Sequence, residues 1–385
     1  MSHTMKRAIL VLLALSFITS VTLFTFTHRG ASNVHAKGVS PNIVPLSDYF
    51  GSNNDQFYAL EAPHGFLRWS YQYQQGGNTW SPALVVVGKI YFEVANSSST
   101  AVEALSNLDG SVKWSFPFPT GTFGANGIAV ANGFIYFAVN SNGSAGSIYA
   151  LNAKTGSIAW IFTATTSDQS FGNPIVVNGV VYAAEHSSSG GIPQMYALDG
   201  SLGSVNWSHE IPVAAGTNLA SANGVIYFGG SSALYAISAV DGSSMWSSPV
   251  DNGPVSTPTI GTGIIYYASA ANFLTAVNAT DGSLTWHQPV HKPFAVNVSP
   301  ALYLGGVYIG SMDLNMYAFK ASTGVPIWKH KVGLAITTTA EIKNGIIHVG
   351  LINGTLRTLN VSDGILRWFY HTNGTITTSS PPAEG

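Results

Sequence analysis

Short apolar runs rich in Val, Ile, Tyr and Phe recur along the chain, separated by clusters of Gly, Asn, Asp, Ser and Thr. None shows the 3.6-residue apolar period of a helix, so the elements read as strands. In Ile175-Val176-Val177-Asn178-Gly179-Val180-Val181-Tyr182 an Asn-Gly pair joins two β-branched runs, which is the strongest short-range hairpin signal. The same turn recurs at Asn132-Gly133, Asn223-Gly224 and Asn344-Gly345. A third strand then contains Tyr149-Ala150-Leu151 or its counterpart, a tight Asp-Gly or Thr-Gly turn follows, and a fourth strand carries a Trp.

The tryptophans expose a repeat. Eight of the nine lie four residues after a Gly: Trp69, Trp114, Trp160, Trp207, Trp246, Trp286, Trp328 and Trp368, at successive intervals of 45, 46, 47, 39, 40, 42 and 40 residues. Ten residues before each stands a small residue: Ala59, Ala104, Ala150, Ala197, Ala236, Ala276, Ala318 or Thr358. Four antiparallel strands per unit at this period predict an all-β, eight-bladed β-propeller. It occupies 37–371 and begins with a complete first blade whose first strand opens near Ser40-Pro41. The tail, 372–385, contains Ser380-Pro381, which resembles the opening of an inner strand; it either helps to close the ring or frays.

Composition narrows the class. Only 8% of residues are charged, 15 Lys and Arg against 17 Asp and Glu, while 46% are apolar. Strands buried on both faces between neighbouring blades account for part of that scarcity. Without a basic run, nucleic acid is not an expected partner. The absence of Cys excludes disulfides, thiolate metal sites, cysteine nucleophiles and Cys-linked lipid anchors. At the N-terminus Lys6 and Arg7 precede an uncharged run, 8–26, and Val34-His35-Ala36 offers a cleavage site. Residues 1–36 are therefore expected to be a signal peptide or an uncleaved membrane anchor, with the propeller secreted or held at the cell surface.

The stretch Ala150-x-Asn152-x-x-x-Gly156-x-x-x-Trp160 resembles the tryptophan-docking motif A-x-D-x-x-x-G-x-x-x-W of the pyrroloquinoline-quinone (PQQ) repeat family, within the quinoprotein dehydrogenase-like superfamily. Ala197-x-Asp199-x-x-x-Gly203-x-x-x-Trp207 matches it in full, and the other copies replace the Asp by Glu61, Ser106, Ser238, Asn278, Lys320 or Asn360. The resemblance implies that each Trp ring docks structurally between adjacent blades. It also implies that catalytic members hold PQQ and Ca²⁺ in the central channel, with an adjacent Cys pair, acidic metal ligands, a catalytic Asp and long insertions. This chain has no Cys and little beyond eight bare blades, so no cofactor, metal site or catalytic residue is expected. A PQQ- or metal-dependent oxidoreductase in the channel is the alternative. The non-catalytic branch resembles the propeller lipoprotein of outer-membrane barrel assembly, except that a lipoprotein needs a Cys.

Departures from the repeat mark candidate function. From the second-strand Tyr (His348 in the last copy) to the small residue, the distances are 10, 13, 14, 15, 9, 10, 10 and 10. The extra length lies in three adjacent blades, at 92–100, 137–147 and 183–194, and reads as a ridge of long loops. Loops on a rigid scaffold commonly bind partners. Candidate contacts are Asn96, Ser97, Asn140, Asn142, Glu185, His186 and Gln194. The expected function is an exported, non-catalytic scaffold for a protein or glycan at the cell surface, touching membrane only through an uncleaved N-terminal segment.

Overall fold

The computed structural model describes residues 47–384 apart from 74–77, 80–81, 96–99, 166–168, 188–190, 213–214, 216–217, 231, 250–255, 270, 291–297 and 377–382. The N-terminal segment, Asn96 and Ser97 lie outside the described residues. Eight separate antiparallel sheets follow one another along the chain, forming an eight-bladed propeller with four strand positions per blade. Blade six is typical: Thr259–Ile260, Ile264–Ala268, Phe273–Asn278 and Leu284–Pro289, running from the inner to the outer position.

Local chemistry sets each blade. At Asn178-Gly179 both residues have positive φ, 51° and 81°, the type I′ geometry whose twist matches the strands it joins. Blades two and seven make the same turn with Val87 and Leu304 at φ 43°, where a bulkier side chain is strained. The turn aspartates act locally: Asp109, Asp199, Asp241 and Asp281 each accept the backbone N–H two residues on.

Register explains the invariant spacing of ten. In every blade the small residue is the direct cross-strand partner of the Trp, from Ala59 opposite Trp69 to Thr358 opposite Trp368, with a bulge just beyond. All eight small residues are completely buried. An insertion in this hairpin would move the Trp to the other face of its blade.

The core lies between blades. Each of the eight apolar clusters among the described residues draws on two adjacent blades, as when Tyr136, Ala138 and Ile148 of blade three meet Phe171, Val181 and Tyr196 of blade four. Blade one departs from the expected layout. Its own chain supplies Ser47–Ser52, Gln56–Glu61 and Phe66–Gln72, and the place beside Ser47–Ser52 is taken by Ala383–Glu384. The strand beside Ser47–Ser52 thus comes from the C-terminal tail, and Ser40-Pro41 lies outside the described residues. Asp48 pairs with Glu384 and Tyr49 with Ala383, and the approaching segment is held where Thr375 O accepts from Asn53 N at 3.0 Å. Ile376 is buried in the cluster that joins blades eight and one.

That closing seam differs from the other junctions. Asp48 stands where the other seven blades carry Ile or Val, and His348 where they carry Tyr. The two meet, His348 Nδ1 at 3.1 Å from Asp48 Oδ2, both buried.

Candidate functional site

The eight motif tryptophans form a directed circuit. Trp69 Nε1 donates to Asn107 O in the next blade at 3.3 Å, and the Tyr49 hydroxyl donates to the same carbonyl at 3.1 Å. Trp114 and Tyr91 share Ala153 O, Trp160 and Tyr136 share Gly200 O, Trp207 and Tyr182 share Ala239 O. Trp246 reaches Ala279 O, Trp286 Ala321 O and Trp328 Val361 O, and Trp368 returns to Ala62 O of blade one. Each ring lies on the motif glycine of the next blade. At Gly110, φ 71°, a Cβ would sit 2.6 Å from Trp69 Cε3, so that position combines a left-handed backbone with contact to the ring. Burial of these tyrosines raises their phenol pKa, to about 12 for Tyr136.

Among the described residues, the ridge on blades two to four is largely strand. In blade three the hairpin Phe134–Ser141 and Ser144–Asn152 is continuous to a tight turn at Asn142-Gly143. The extra residues pair with chain just ahead of the inner strand, Asn78–Thr79 with Ala95 and Val94 and Gln169–Phe171 with Ser187 to Glu185, or, in blade three, with the start of the inner strand itself, Thr122 to Gly124 with Ser141 to Val139. Partners for the lengthened strand edges convert would-be loops into a raised wall. Blade eight retains only a single bridge at this place, Ile336 with Leu351.

The wall sorts the sequence candidates. Asn140, Glu185 and His186 come together at the junction of blades three and four, whereas the sequence placed all three on an exposed surface. Asn140 is buried and pins the junction: its Nδ2 donates to Phe171 O and its Oδ1 accepts from Phe171 N, both at 2.8 Å. Glu185, fully buried, pairs in register with Phe171 and lies beside Tyr196, whose phenol pKa is raised by burial and by that carboxyl. Half-buried His186 has its pKa lowered by burial. Asn140 braces the wall from within. Gln194, half-buried, starts a strand and pairs with Glu210. Asn142 is exposed at the tip of the blade-three hairpin, on the edge of a polar groove of about 320 Å³ lined by Thr120, Thr122, Ser141, Asn142, Ser144 and Tyr149.

Other buried acids also lie between blades. Glu103 is bonded to Tyr71 and Ser115, and burial raises its pKa despite them. Glu93 lies against Gly124 of blade three. Ca²⁺ takes about six to eight oxygen ligands, so a quinone–Ca²⁺ centre requires acids that converge. Asp48, Glu93, Glu103 and Glu185 are turned into four different junctions, and the described residues contain no group of three His, Asp or Glu suited to a metal. They do not fit that centre.

A family model described as "Outer membrane protein assembly factor BamB" matches residues 47–189, 98–215 and 195–357, most of the propeller. The chain belongs to this BamB-type PQQ-repeat family. No curated protein matches it. Among solved structures it is similar to BamB from Moraxella catarrhalis, with a TM-score of 0.61 at 18% identity over 80% of this chain and 93% of that one. It is similar also to a europium-containing methanol dehydrogenase, TM-score 0.63 at 14% identity over 78% and 79%. A quinohemoprotein alcohol dehydrogenase from Pseudomonas putida HK5 gives a TM-score of 0.65 at 13% identity over 81% and 69%. At these identities the structural likenesses establish the fold.

Proposed function

We propose that the chain is an exported, non-catalytic scaffold that seats a protein partner on the raised wall of blades two to four. The observation that carries this reading is the wall itself: three adjacent blades extend their sheets on one side of the ring, and an uncharged polar groove opens on the middle one. A wall braced by Asn140 needs little ordering on association, which lowers the entropic cost of binding. The family's description as an assembly factor agrees with a protein partner. Lys6, Arg7 and the apolar run behind them support export, and with no Cys to lipidate, release or a peptide anchor takes the place of a lipid.

The test is site-specific photo-crosslinking in the producing cell, with the crosslinker at Ser144 on the groove edge. A discrete adduct should form and should vanish when Asn142→Arg is added, while the melting temperature stays unchanged. No adduct, or one indifferent to Asn142→Arg, removes the wall as the binding face. Separately, dye-linked alcohol or sugar oxidation by the purified chain supplied with PQQ and Ca²⁺ would overturn the non-catalytic reading.

A further inference from the structure

Blade six breaks the repeat at two adjoining positions. The residue before the small residue faces the preceding blade and is Tyr58, Tyr149, Tyr196, Tyr235 or Tyr317 in five blades, with Glu103 and Arg357 in two more. In blade six it is Thr275, paired across the sheet with Tyr267. Three residues before the small residue the other blades carry Gln56, Ala101, Ser147, Gln194, Ala233, Asn315 and Thr355, but blade six carries Phe273. A ring has been lost from the junction and another gained at its edge.

The result is a cavity of about 380 Å³ between blades five and six. Its floor is Ser248, Tyr267, Ser269 and Thr275, all buried, with Ser269 only 3% exposed. Its lip is the half-buried Phe273 ring stacked on the exposed ring of His287, centroids 5.0 Å apart and planes 21° from parallel. The described residues that line it include no Asp, Glu, Lys or Arg. Buried hydroxyls normally find partners. Those of Ser248, Ser269 and Thr275 make no side-chain hydrogen bond to the described residues.

We infer that this cavity binds a neutral sugar residue of a glycan chain. A pyranose presents an apolar C–H face, which the Phe273–His287 pair accepts flat, and a rim of hydroxyls, which the three floor hydroxyls match as donors and acceptors. A charged ligand would lose its hydration without a counter-charge, and a purely apolar one would bury those hydroxyls unpaired. The volume lies at the lower end of the range for small-molecule sites, about 300–1,000 Å³. The inference is independent of the wall on blades two to four, which belongs to other junctions.

The test is calorimetry and a neutral-glycan array on the full exported chain, with neutral mono- and disaccharides as probes and a neutral tetrapeptide as control. At least one saccharide should bind, and the array should separate a chain end from an internal unit. Thr275→Tyr inserts the ring that five other blades hold, so it should weaken binding at least about tenfold without lowering the melting temperature. Phe273→Ala should weaken it by about tenfold as well, and Asn142→Arg on the wall should leave it unchanged. If Thr275→Tyr misfolds, Phe273→Ala and Ser248→Ala carry the comparison. Absence of saccharide binding, equal binding by Thr275→Tyr and Phe273→Ala, or preference for the tetrapeptide overturns the proposal.

Discussion

The seam between the first and last blades offers a sharp test of how this ring is held. His348→Tyr restores the residue of the other seven blades, and Asp48→Ile restores their aliphatic one. In six blades the Tyr hydroxyl donates to a carbonyl of the next blade's turn, so a Tyr at 348 would aim at Ala62 O and would leave Asp48 behind. His348→Tyr alone therefore strands a carboxylate in a fully buried site, which costs about 3–5 kcal/mol. At an unfolding entropy of about 2.1 cal/mol/K per residue, roughly 340 residues convert this to a fall of about 4–7 °C in melting temperature. Replacing both partners removes the stranded charge, and such replacements are commonly neutral or stabilising by about 1–4 kcal/mol. The double variant should melt at or above the wild type. Scanning calorimetry with circular dichroism on all four proteins gives the full cycle. A double variant less stable than His348→Tyr alone would refute the argument, because the pair would then contribute more than mutual compensation.

Three further outcomes follow from the same geometry. Val87→Asn and Leu304→Asn place the preferred residue at two exposed positions with φ 43°, and each should stabilise by about 1 kcal/mol, additively, in denaturant titrations. Trp246→Ala removes both a docked ring and the bond to Ala279 O and should cost about 3–5 kcal/mol, seen as an earlier thermal transition. Burial raises the Glu103 pKa above 4.5, so the fold binds this proton more tightly than the unfolded chain does. Stability should therefore fall as pH rises from about 4.5 through the raised value, and Glu103→Gln should flatten that slope in melting curves from pH 4 to 8.

What could be read in the sequence was whatever one hairpin fixes. The interval from Ala150 to Trp160 is set by local register, so it repeats without variation, and the Asn178-Gly179 turn is set by backbone sign, so it recurs in blades three, five and eight. Two features depend on distant partners. The inner strand of blade one comes from Ala383–Glu384, which no local pattern near Ser40 could announce. The extra residues of blades two to four become strand because linking segments such as Gln169–Phe171 lie alongside them; with those partners unseen, Glu185 and Asn140 read as exposed. Aligning the positions that flank the motif would have found more. Asp48 among Ile and Val, His348 among Tyr, and Thr275 among Tyr stand out in the bare sequence.

The provenance of blade one's inner strand also constrains when the molecule can finish folding. Blades two to eight each use consecutive stretches of chain and can assemble as the polypeptide emerges N-terminus first. Blade one must wait with the edge of Ser47–Ser52 open until the last residues arrive. A stop before Ala383 removes the strand that pairs with Ser47–Ser52 and leaves that edge open to another chain. Ring completion thus waits on residues 383–384, far along the chain from the strand they close.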